Sequence, residues 1–206
     1  MSNQFANDPK TTYALYKLED ELNAQRLHPH PDWTDITTHK DVVLARYQPA
    51  FSPNRIGQLT KAEFESFLQF KNNHHWTQLN RVEKFMTEDM DALHGALGLL
   101  VEERIPVRER LNQLRPERSW ATHSRVSHLG MPVLTAILQV TQPDKYGIWN
   151  NTSDAGMKIV KLWDKRWDKQ LAGDSYVVMN AIYLHLAERL QIDLWTLDAL
   201  WWMLKR

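Results

Sequence analysis

The chain is predicted to be all-α. Three observations predict it: apolar residues recur three and four positions apart in one segment after another, no stretch alternates apolar and polar residues as a half-buried strand would, and glycine is scarce, with 7 in 206 residues. The segments predict about eight to ten helices around one core. They form a single domain over 1–206 that allows a division into two lobes, 1–120 and 121–206, on either side of a cleft.

The elements follow in order. After Pro9, Thr11 to Arg26 carries Tyr13, Leu15, Tyr16, Leu18 and Leu22 as a helical stripe. The next stretch, LHPHPDWTDITTHKD, mixes three histidines with two prolines; His28 and His30 lack the second ligand pair a metal site needs, and the stretch reads as an irregular loop. A short apolar piece from Val42 to Ala50 ends at Pro49. Thr60-Lys61-Ala62-Glu63 is a capping box, and the helix it opens carries Phe64, Phe67 and Leu68. That helix runs into Phe70-Lys71-Asn72-Asn73-His74-His75-Trp76, followed by Arg81. Imidazoles and an indole arriving together at a helix end fit stacking on an extruded base, and fit equally a C-capping Asn beside a satisfied His and a core Trp.

Thr87 is placed to cap a helix through Glu103 with Met90, Leu93, Leu97 and Leu100 on its apolar face. Beyond it Arg104, Arg108, Arg110, Arg115, Arg118 and Arg125 interleave with Glu102, Glu103, Glu109 and Glu117, the pattern of a solvated face with local ion pairs; its place before the next turn also suits a phosphate-binding edge. A tight turn at Leu129-Gly130 opens onto an apolar helix from Val133 to Val140, which Pro143 stops. Ser153 or Thr152 caps a helix through Trp163, Gly173 ends one element, and Asp174 or Ser175 begins another. Tyr176 to Gln191 is strongly amphipathic, and a last helix starts near Thr196 with Leu197, Leu200, Trp201 and Leu204. On so apolar a helix the Asp198 carboxylate needs a partner, and pairing is the simpler role than catalysis.

Composition excludes several classes. Without cysteine there are no disulfides, thiolate zinc sites or cysteine nucleophiles. A net charge of zero gives no general pull toward nucleic acid, so a DNA contact has to come from a local basic surface. No run reaches the length of a membrane span, and MSNQFANDPK lacks the features of a signal peptide, which predicts a cytoplasmic protein with no membrane contact. A phosphate-binding glycine loop, a nucleophile elbow and an HExxH motif are all missing, and the sequence points to no cofactor and no metal. Nine tryptophans are many; each can fill a core, stack on a base or line a pocket.

The stretch RVSHLGMPVLTAILQVTQPDKYGIWNNTSD, Arg125 to Asp154, resembles the helix-hairpin-helix DNA glycosylase superfamily. The matching residues are Leu129, Gly130, Thr135, Ala136, Ile137 and Leu138, then Tyr146-Gly147-Ile148-Trp149-Asn150, with His128 where the family has a first hairpin glycine and Asn150 where it has its aspartate. The resemblance implies base flipping in double-stranded DNA and hydrolysis of an N-glycosidic bond without strand cleavage. It implies an acid among Asp144 and Asp154, with Asn150 orienting water or phosphate. It also implies a base pocket of His74, His75, Trp76, Tyr146 and Trp149, and DNA contacts from Arg81, Arg118, Arg125, His128, Gly130 and Lys145. Lys145 as an amine nucleophile is the less favoured route. In size, lack of cysteine and helical character the chain is also similar to prokaryotic antiphage glycosylases, which implies excision of glucosylated hydroxymethylcytosine from phage DNA. The alternatives are a non-catalytic DNA-binding or protein-interaction module of a defence or restriction system, for which Asn150 speaks, and a helical regulatory domain with an aromatic ligand pocket.

Overall fold

The computed structural model of the chain describes residues 8–77, 79, 83–115 and 126–206. Among them every regular element is a helix: α1 Pro9–Leu27, α2 Pro31–Thr38, α3 Lys40–Tyr47, α4 Lys61–Leu68, α5 Phe70–Asn73, α6 Glu83–Met86, α7 Met90–Leu100, α8 Val107–Leu114, α9 Met131–Thr141, α10 Asn151–Ile159, α11 Ala172–Leu190 and α12 Leu194–Leu204. Short 3-10 turns occupy Ile56–Gln58 and Lys165–Lys169. No described helix is long and apolar enough to cross a membrane.

Two helices make the centre. In α9 every residue from Val133 to Val140 is buried, so this stretch has no solvent face. In α12 the indoles of Trp195 and Trp201 are sealed from solvent, and α1, α2, α10 and α11 pack around it. Burying a side chain of leucine size or larger contributes roughly 1.5–3 kcal/mol, which is why these two stripes dominate the core. Gly156 lets α10 lie directly on α12: a Cβ there would stand 2.5 Å from the Trp201 ring.

Several boundaries differ from the sequence expectation, each for a local reason. The histidine–proline stretch is a helix, not a loop. Pro31 sits in its first turn, the His30 ring nitrogen accepts the Asp32 N–H at 3.1 Å, and Trp195 of α12 donates its indole N–H to the Ile36 carbonyl at 2.9 Å. The apolar piece after it begins earlier, as α3. The capping box at Thr60 and Glu63 is present, yet the helix it opens breaks at Gln69, whose extended backbone separates α4 from α5. Asp89, not Thr87, caps α7, accepting the Ala92 N–H at 2.9 Å, while the buried Thr87 hydroxyl donates to Glu65. Asn150 rather than Thr152 or Ser153 caps α10, which stops at Ile159, before Trp163. Gly173 lies inside the first turn of α11, and Asp193 caps α12 through the Thr196 N–H at 2.7 Å.

Candidate functional site

The N-termini of α9 and α10 open onto two adjoining clefts. The turn before α9 holds His128 at φ 63°, in the left-handed region, and its carbonyl accepts the Gly130 N–H at 2.8 Å. Gly130 itself has φ −90°, which any residue adopts. The left-handed geometry therefore falls on His128, whose ring lies 5.0 Å from that of Phe85. Gly130 ends the turn as the N-cap of α9, with no side-chain cap among the described residues.

The first cleft, about 380 Å³, is lined by Arg115, Gly130, Trp149, Asn150, Asp154 and Trp163 among others. Asp154 accepts the Trp149 indole N–H at 2.8 Å, which fixes the carboxylate against the ring. Trp149 is held from behind: its backbone N–H donates at 2.9 Å to the Thr135 hydroxyl, which donates in turn to the Met131 carbonyl at 2.7 Å. Thr135 thus ties the post-helix segment to α9. Burial pushes the Arg115 guanidinium down from its ordinary value. Asn150 uses its side-chain oxygen on the Thr152 and Ser153 N–H groups, at 2.7 and 3.0 Å.

The second cleft, about 240 Å³, shares Pro132, Asn150 and Asn151 with the first and adds His75, Trp76 and Asp198. His75 Nε2 approaches Asp198 Oδ2 to 2.7 Å, and the Trp76 indole N–H donates to the same oxygen at 3.2 Å. The two rings stack at 5.0 Å. Their turn is built by buried Asn73, whose oxygen accepts the N–H groups of His75 and Trp76 at 2.9 and 2.7 Å while its amide donates to the Phe67 carbonyl. His75 Nδ1 and Asp198 Oδ1 are sealed from solvent and have no partner among the described residues. Unpaired polar atoms of this kind are costly in a core.

Of the residues singled out from sequence, Asp154, Asn150, Trp149 and Gly130 meet at the first cleft, and His75, Trp76 and Asn150 at the second. Asp144 is exposed and lines neither. Tyr146 is buried in a network in which the Arg110 guanidinium donates to its hydroxyl at 2.7 Å and the hydroxyl donates to Glu103 at 3.0 Å. Lys145 pairs with Glu103, and hydrogen bonds to Glu103 and Tyr146 raise its pKa above the ordinary lysine value, the opposite of what an amine nucleophile needs. His74 packs against His39 instead of entering either cleft. Arg81, Arg118 and Arg125 lie outside the described residues. Trp163 and Asp168 also line the first cleft, although the sequence reading placed Trp163 only at the end of a helix. Comparison of the chain with family models, with curated proteins and with solved structures finds no match.

Proposed function

We propose that the first cleft receives a nucleobase everted from double-stranded DNA and that the protein hydrolyses its N-glycosidic bond, leaving an abasic site. The observation that carries this reading is the Asp154 carboxylate, held on the Trp149 indole in a cleft that also contains Trp163 and Arg115. Its volume, about 380 Å³, falls within the roughly 300–1,000 Å³ usual for small-molecule pockets. Tryptophan faces suit stacking on a base, and a fixed carboxylate suits the positive charge that builds on the sugar. In the reaction a water oxygen bonds to the anomeric carbon as the carbon–nitrogen bond breaks; the bonding electrons leave with the base, which takes up a proton. Asp154 stabilises the cationic sugar and orients the water, while Arg115 and the N-terminus of α9 hold the flanking phosphate. The substrate class, a modified cytosine such as the glucosylated hydroxymethylcytosine of phage DNA, rests on the likeness of the chain in size, lack of cysteine and helical character to antiphage glycosylases, and carries a role in antiviral defence with it.

One observation favours a second reading, a non-catalytic DNA-binding or protein-interaction module. The side chain at the family's aspartate position, Asn150, is a helix cap. Incubating the purified chain with glucosylated phage DNA and with unmodified DNA, then measuring released base by chromatography and abasic sites by alkaline cleavage, separates the two. Release from modified DNA that Asp154→Asn lowers at least about a hundredfold is the expected result, in the range that loss of one transition-state contact costs. Binding without release establishes the module, and loss with Asp144→Asn but not Asp154→Asn overturns the assignment of the acid.

A further inference from the structure

We propose that Asp35, His39 and His74 form a binding site for a divalent transition-metal cation, zinc foremost. Asp35 Oδ1 lies 3.0 Å from His39 Nδ1 and 3.5 Å from His74 Nδ1, and one ligand atom from each residue lies within 4.8 Å of the others. Donors bound to a tetrahedral zinc ion at about 2.0–2.1 Å stand ~3.3 Å apart, so the Asp35–His39 and Asp35–His74 spacings suit one ion, and the two imidazoles have to turn out of their stack to aim both nitrogens at it. The imidazoles are stacked, with centroids 3.9 Å apart and planes 5° from parallel, and both bring Nδ1 to the same carboxylate oxygen. In the ion-free arrangement His39 Nδ1 also donates to the Asp35 backbone carbonyl at 2.8 Å, a contact that a bound ion would displace.

The backbone supports the arrangement. Asp35 lies on α2, His39 is the junction residue between α2 and α3, and His74 caps α5 in the left-handed conformation at φ 53°, a geometry that a non-glycine side chain adopts at a cost. Side-chain exposures of 37%, 38% and 28% for His39, Asp35 and His74 leave a path for an ion from solvent. Two imidazoles and one carboxylate suit zinc and its late first-row neighbours better than magnesium or calcium, and three protein ligands leave a fourth position for water. The ion would clip the α2–α3 corner to the end of α5. Its consequence reaches the second cleft, because His75 and Trp76 follow His74 directly.

The test uses the untagged full chain, stripped with a chelator and titrated with zinc chloride by calorimetry and with cobalt chloride by visible absorption. One tight equivalent, tetrahedral cobalt bands and a Tm raised by zinc are expected. His39→Gln and His74→Gln should each weaken zinc binding by more than the roughly 10–100-fold that loss of an outer-sphere partner costs, whereas His94→Ala, whose ring bonds to the Leu59 carbonyl, should not. Circular dichroism of the metal-free variants checks their fold, and near-isosteric Asp35→Asn provides a third variant should a histidine replacement unfold. No saturable zinc binding, or binding unchanged in the folded variants of the trio, overturns the proposal.

Discussion

Asn150 shows how one residue can carry a likeness and a different job. At the position where the resemblance expects an acid, its amide oxygen accepts two N–H groups at the start of α10, and the Ser153 hydroxyl accepts the Asn150 N–H at 2.9 Å in return. A capping side chain of this type contributes about 0.5–2 kcal/mol. Asn150→Ala should therefore lower the unfolding free energy measured in urea by that amount while Asn150→Asp, which still caps, should not; equal stability of the two variants would show that the cap is idle. Asp154 is the opposite case, since its carboxylate caps no helix and sits instead on an indole at a cleft wall. The carboxylate that lines the cleft is one turn into α10, and only its neighbour Asn150 starts the helix.

At the scale of elements, close approach decides where glycine is indispensable. A Cβ on Gly173 would stand 2.1 Å from the Arg108 carbonyl oxygen of α8 and 2.7 Å from the Asn112 amide oxygen, which accepts the Gly173 N–H. Backbone cannot yield as a side-chain tip can, so α11 and α8 would have to separate. Gly173→Ala should destabilise the fold by about 1–3 kcal/mol, the usual cost of overpacking, despite alanine's higher helix propensity; an unchanged or raised denaturation midpoint would contradict that packing. Sequence periodicity found α11 but took Gly173 for a terminator, because a glycine near a polar turn is the usual stop signal and the contact that demands it comes from α8. The same limit applied to the histidine–proline stretch, where the stabilising partner of α2 is Trp195, far along the chain.

Across the whole molecule, Glu103 after α7, Arg110 on α8 and Lys145 and Tyr146 after α9 join in one network, with Arg110 fully buried and also bonded to the Leu100 carbonyl. Burial raises the Glu103 pKa, and the Lys145 hydrogen bond, the Arg110 charge and the Tyr146 hydroxyl outweigh it, so the carboxyl ends below its ordinary value of 4.5. A depressed carboxyl stabilises the fold fully above that ordinary value and loses the contribution as pH falls through the depressed one. Tm should thus fall as the pH is taken from 5 towards 3. Glu103→Gln should lower stability at neutral pH by about 1–3 kcal/mol, because it leaves the buried Arg110 short of an anion, and should flatten the acid limb; an acid limb of unchanged slope in this variant would place the pH dependence elsewhere.

By itself the sequence determined the helical class, the apolar stripes of α4, α7, α9, α11 and α12, the capping box at Thr60 and the need of Asp198 for a partner. These depend on 3.6-residue periodicity and on contacts within a few positions, which are written locally. In α1, by contrast, only Leu18 and Leu22 of the expected stripe are buried, and Tyr16 is exposed. Tertiary structure alone decided that Asp198 meets His75 and Trp76, that Asp154 reaches a cleft and Asp144 does not, that Tyr146 belongs to an ion-pair network, and that His74 joins Asp35 and His39. Each of those is a meeting of side chains from elements distant in sequence. The spacing of residues along one helix carries no information about which other helix will face it.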